Sequence, residues 1–217
     1  MRKTTVSPEA RTTVAIKPPN FKFASFNIIG TSPLVICKFS QKAKAQIIAT
    51  QESGARSTKG KAKEPKNFDE LLNQARHISV DGWDGIPANA FRAGMVSMCR
   101  LAGFKMTLSK LALFVEADGY DADEGTPLIK IIGNNGFEKC DIPTRNADFS
   151  VDIHPRPMWR EWAAKIRVRF DADIFSLEDV ANLLTRLGMQ GGVGEGRADS
   201  KRSCGMGWGF FRLEKEA

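Results

Sequence analysis

The last third of the chain constrains the fold most. In AAKIRVRFDAD, Ile166, Val168 and Phe170 alternate with Lys165, Arg167 and Arg169, the period-two pattern of a strand with one buried face and one basic, solvated face. Ser176 and Asp179 then stand at the spacing of a reciprocal helix cap ahead of SLEDVANLLTRLG. Within that segment Val180, Leu183, Leu184 and Leu187 make one apolar helical stripe, which ends at Gly188. A stretch with Gly191, Gly192, Gly194 and Gly196 before a basic patch, and Gly205, Gly207 and Gly209 after it, leads into the strand-like WGFFRL. The unit is therefore strand, capped helix, glycine-rich loop and strand, and an α+β fold is expected.

Upstream, FKFASFNIIG and SPLVICKFS are rich in aromatic and β-branched residues and are broken by Gly30 and Pro33, which predicts a strand pair or one strand with an irregular extension. QKAKAQIIATQ and NFDELLNQARH predict short helices. In WDGIPANAFRAGMVSMCRLAG, the Asp84-Gly85 turn, Pro87 in the first helical turn and Gly103 at the end bound a helix. Its Phe91, Met95 and Met98 form a core stripe, and Arg92 and Arg100 are expected about 80° apart, in one exposed sector. LALFV and PLIKIIG predict two strands joined by an acidic tip holding Asp118, Asp121, Asp123 and Glu124. DGYDADEG does not match the D-x-[DN]-x-[DN]-G calcium loop.

Charge is unevenly spread over the 217 residues. Met1 to Val80 holds 14 basic and 5 acidic residues, net +9, and Asp81 to Ala217 holds 18 and 20, net −2. Such asymmetry points to an anionic partner, most simply nucleic acid, because Lys and Arg that neutralise phosphates release counterions. The polar segment 1–20, with Pro8, Pro18 and Pro19, reads as a flexible arm. Residues 52–66 read as a mobile basic loop or thumb, and 21–217 as a single domain. No apolar run is long enough for a membrane helix, and the amino terminus lacks the apolar stretch of a secretory signal, so a cytoplasmic protein with no membrane partner is expected. Cys37, Cys99, Cys140 and Cys204 form no CxxC pair, and His77 and His154 lie in no metalloenzyme motif. No metal site, no cofactor and no catalytic residue is expected. The glycine stretch is no dinucleotide fingerprint, since it follows a helix and no GKS or GKT occurs.

Two stretches, GVGEGRADSKRSCGMGWGFFRL and IPANAFRAGMVSMCR, resemble motifs of the RAMP superfamily of CRISPR-associated proteins, most closely the Cas7-like backbone subunits. The resemblance covers Asp81 to Gly103 and Lys165 to Leu213. In this sequence Ala88, Asn89 and Ala90 replace the usual small hydroxyl residues, and Phe91 replaces a commoner aliphatic residue. The resemblance implies a ferredoxin-like, RRM-like core: an antiparallel sheet with helices on one face. It also implies a non-catalytic guide-RNA-binding protein that assembles head to tail into a helical filament, with other CRISPR effector subunits as further partners in antiviral defence. The short chain would suit a phage- or mobile-element-encoded member. By the same resemblance, Arg92, Arg100, Arg197, Lys201 and Arg202 approach the RNA. Local positive charge adds Lys38, Lys42, Lys44, Arg56, Lys59, Lys61 and Lys63 as phosphate contacts. Two alternatives stand beside this reading: a Cas6-like endoribonuclease, which would need a histidine such as His77 or His154, and a phage single-stranded DNA-binding protein stacking bases on Trp83, Trp159, Trp162, Trp208 or Tyr120.

Overall fold

A computed structural model of the chain describes residues 17–52, 54, 66–133, 136–145, 151–199 and 205–214. The first half runs through β1 (Phe21–Gly30), β2 (Leu34–Val35), α1 (Gln41–Glu52), α2 (Phe68–Gln74), β3 (Gly85–Pro87), α3 (Ala88–Met98) and α4 (Met106–Ala112). The second half adds β4 (Leu113–Glu116), β5 (Gly119–Tyr120), β6 (Pro127–Lys130), β7 (Glu138–Cys140), β8 (Pro143–Arg145), β9 (Val151–Ile153), β10 (Arg156–Trp159), β11 (Ala163–Asp171), α5 (Leu177–Arg186) and β12 (Phe211–Leu213). A π-helical turn, Leu187–Gly191, extends α5. No helix among the described residues is long and apolar enough to cross a membrane.

The protein is α+β with antiparallel sheets. The main sheet has the order β12-β1-β11-β4, and every neighbouring pair is antiparallel. Its register sets Ala24 opposite Val168, Phe26 opposite Ile166 and Ile28 opposite Ala164, so the inward side chains of the two central strands share one face. Helices α3 and α5 pack on each other and reach β4 and β12 respectively, and Phe91, Met95, Val180 and Leu184 meet Ile28, Ile166 and Val168 in one core. Each fully buried large apolar side chain contributes roughly 1.5–3 kcal/mol. The opposite face is solvated, with Phe23, Lys165 and Arg167 exposed. Two three-stranded sheets, β2-β10-β7 and β3-β6-β5, and the β8-β9 pair complete the topology.

The local readings of the last third hold. β11 buries Ile166, Val168 and Phe170 and exposes Lys165 and Arg167. At the start of α5 the Ser176 Oγ accepts from Asp179 N at 3.1 Å while Ser176 N donates to the Asp179 carboxylate at 2.8 Å. These bonds satisfy two of the donors that a helix start leaves orphaned; the Ser176 hydroxyl, which donates to the same carboxylate at 2.7 Å, and then Ser176 N–H hold the Asp179 carboxyl below its ordinary range.

Three expectations are corrected. β1 and β2 do not pair with each other, because β2 pairs with β10. LALFV and PLIKIIG do not form a hairpin: Leu111 and Ala112 close α4, β4 joins β11, and β6 pairs with β3 and β5. In the acidic segment between them Asp121 turns inward and is only 2% exposed, while Asp123 and Glu124 stay at the surface. Arg92 and Arg100 do not share a sector, since α3 ends at Met98 and Arg100 lies in the following turn.

Candidate nucleic-acid interface

α3 packs against the π-helical turn that leads into the glycine-rich loop, and a groove of about 1170 Å³ opens along them. Asn89, Arg92 and Ser97 of α3, Lys110 of α4, and Gly194 and Arg197 of the loop line it, with Cys37 and His77 beside them. The two stretches that carry the sequence resemblance, far apart in the chain, therefore form opposite parts of one concave surface.

The loop is shaped by positions that exclude side chains. Gly194 has φ +78° and a Cβ there would stand 2.4 Å from the Val35 carbonyl oxygen; Gly209 has φ +71° and a Cβ would stand 1.8 Å from the Val193 carbonyl oxygen. Only glycine combines that left-handed backbone with such an approach. In return the loop is stapled to the body: Glu195 N donates to Val35 O at 2.8 Å and Val193 N to Gly209 O at 3.0 Å. Gly192 N and Asp199 N are likewise engaged, with Leu187 O and Gly191 O. These N–H groups are thus not free to face an anion, and Arg197 is the loop cation that lines the groove.

Pairing decides which charges remain available there. Glu195 meets Arg156 at 2.5 Å, and Asp199 accepts from Arg100 at 2.9 Å and from Ser97 Oγ at 2.5 Å. Both groove acids are thereby neutralised. Arg197 donates to the Gly194 carbonyl at 2.9 Å, and Arg92 to the Leu113 carbonyl at 2.8 Å and to the Lys110 carbonyl, its guanidinium stacked over Phe114. Carbonyls orient these groups without cancelling their charge. Among the described residues no carboxylate pairs with Arg92, Lys110 or Arg197. Lys110 was not singled out from the sequence, where a lysine between Leu108 and Leu111 carries no motif signal.

Lys38, assigned to phosphate on local charge, is placed elsewhere. Its ammonium is 3% exposed and lies 2.7 Å from both Asp121 Oδ1 and Asp123 Oδ2. Burial disfavours that charge, but the hydrogen bonds from the two carboxylates outweigh it and hold Lys38 above its ordinary value. Asp121 shows the converse: burial pushes it up, and bonds from Lys38, His77 and the backbone of Asp123 and Glu124 bring it below the usual carboxylate range. Lys38 is therefore part of the fold's interior. Arg100 is tied to Asp199, and Lys44 lies 3.2 Å from Glu124. Lys42 sits on α1. Arg56, Lys59, Lys61, Lys63, Lys201 and Arg202 lie outside the described residues.

The aromatic candidates divide in the same way. Trp159 and Trp162 belong to the main core, and Trp208 packs on Val35, Cys140 and Met158. Tyr120 remains exposed. Among the described residues no group of three or more His, Cys, Asp or Glu side chains stands where it could hold a metal ion. No protein-family model matches the chain, and no curated protein matches its sequence.

Proposed function

We propose that the protein binds single-stranded RNA through the sugar-phosphate backbone, as a non-catalytic, Cas7-like subunit that assembles along the strand in a prokaryotic cytoplasm. The observation that carries this reading is the groove in which Arg92, Lys110 and Arg197 keep their charge while both acids are paired. A polyanion that threads it gains three charge-assisted contacts with little competition from the protein's own carboxylates.

The sheet supports the same reading at the level of the fold. Taken in chain order, the main-sheet strands β1, β4, β11 and β12 lie as fourth, first, third, second. Helix α3 lies between the first and second, and α5 between the third and fourth. That is the strand-helix-strand-strand-helix-strand order of a ferredoxin-like core. Head-to-tail assembly on RNA needs a heterologous interface, so particle size depends on the length of the RNA.

The test is purification from a bacterial host at moderate salt, followed by the ratio of absorbance at 260 and 280 nm, the particle mass and titration with labelled single-stranded RNA. Co-purifying, nuclease-sensitive RNA in large particles is the expected result. A nucleic-acid-free monomer without affinity for single strands overturns the proposal.

A further inference from the structure

His77 is among the residues that line the groove; its side chain is 10% exposed and is held by Asp121. Its Nδ1 lies 3.0 Å from Asp121 Oδ2. The other oxygen of that carboxylate accepts from Lys38 Nζ at 2.7 Å, Asp123 N at 3.0 Å and Glu124 N at 3.1 Å. With an ammonium and two backbone N–H groups donating to its other oxygen, Asp121 is ionised, and an ionised carboxylate only accepts. Nδ1 therefore donates to it, and in that imidazole tautomer Nε2 is the lone-pair acceptor.

The backbone makes this arrangement rigid. His77 O accepts from Gly85 N at 2.9 Å, Ala122 N donates to Ile78 O at 2.9 Å, and Ser79 bridges to Asp121. Arg76 holds Asp84 with two bonds, at 2.8 and 2.9 Å. Among the described residues nothing bonds to Nε2.

The chemistry of the groove then narrows what such an acceptor meets. Arg92, Lys110 and Arg197 are donors only and suit phosphate oxygens. A lone pair repels a phosphate oxygen and accepts from a hydroxyl, and a ribose 2′-hydroxyl adjoins every phosphate of RNA and none of DNA. We propose that Nε2 of His77, held by Asp121, accepts a hydrogen bond from a ribose 2′-hydroxyl and so selects RNA over DNA in this groove. The inference rests on the groove's being the nucleic-acid site.

The experiment compares three labelled strands of one sequence, single-stranded RNA, its 2′-O-methyl form and single-stranded DNA, with the wild-type full chain and His77→Ala, by fluorescence anisotropy at fixed salt. RNA is expected to bind more tightly than both other strands. His77→Ala is expected to weaken RNA binding about 2- to 12-fold, the range of one net neutral hydrogen bond, and to leave DNA binding unchanged. Should His77→Ala fail to fold, His77→Phe keeps the ring volume without the nitrogens and is read the same way. Equal wild-type affinity for RNA and DNA, or equal loss for both strands on substitution, overturns the hydroxyl contact while the groove stands. Absence of binding to any strand overturns the groove reading itself.

Discussion

Two sets of cations drawn from the same basic sequence end in opposite states. Lys38 is enclosed against the buried Asp121, with the exposed Asp123 as its second partner, and belongs to the interior, whereas Arg92, Lys110 and Arg197 line an open groove without carboxylate partners among the described residues. Net charge is identical for a lysine in either state. What separates them is desolvation: a buried ammonium persists only if carboxylates compensate it, and a groove cation stays charged without a carboxylate because water still solvates it. Charge density along a sequence therefore indicates the kind of partner, and only pairing indicates which residues are left to meet it.

Removing the interior cation should have the largest effect. Lys38→Met leaves Asp121 buried with its main partner gone, and a loss of about 3–5 kcal/mol is expected in denaturant unfolding. A loss below about 0.5 kcal/mol, the ordinary scatter of surface substitutions, would show the pair to be no different from a solvated one. Gly209→Ala comes next. It demands a left-handed alanine and a Cβ against the Val193 carbonyl, for an expected loss of roughly 2–5 kcal/mol from backbone conformation and overpacking together. Because the same contact shapes the groove, weaker RNA binding should accompany the loss in the fraction that still folds.

The pH dependence sharpens the contrast. Asp121 titrates below its ordinary 3.8 in the folded protein, so its contribution is complete above that pH and is lost as pH falls through the lower folded value. Lys38 titrates above its ordinary 10.5, so its share is complete below that pH and is lost as pH rises through the higher folded value. The difference in thermal midpoint between wild type and Lys38→Met should accordingly be flat from about pH 4 to about pH 10 and close at the acid end. A difference that widened on acidification would contradict the ion-pair account. The smallest effect on stability belongs to the groove: Arg197→Ala should change it by less than about 0.5 kcal/mol. Its signature is in binding, where the slope of log affinity against log salt should flatten by about 0.7. An unchanged slope removes Arg197 from the interface.

How far the chain can be read in advance follows from the range of the interactions involved. The Ser176–Asp179 cap, the α5 stripe and the alternation of β11 rest on residues within a turn or a pleat of one another, and each is found where its spacing predicts. The strand at LALFV is misread at its start because Leu111 and Ala112 suit a helix end as well as a strand, and β11 is what recruits Leu113 to Glu116. The site is legible only in outline. Arg92 and Arg197 can be singled out by motif, but the neutralisation of Asp199 by Arg100, the burial of Lys38 and the contact between His77 and Asp121 join residues 44 to 99 positions apart.

By itself, then, the sequence determined the element types of the last third and an excess of positive charge toward the amino terminus. Only the tertiary structure decided which cations are interior and which line the groove, and that His77 meets Asp121. Periodicity and capping act between neighbours along the chain. Desolvation and ion pairing depend on which distant segments are brought together, and the folded sheet alone supplies that information.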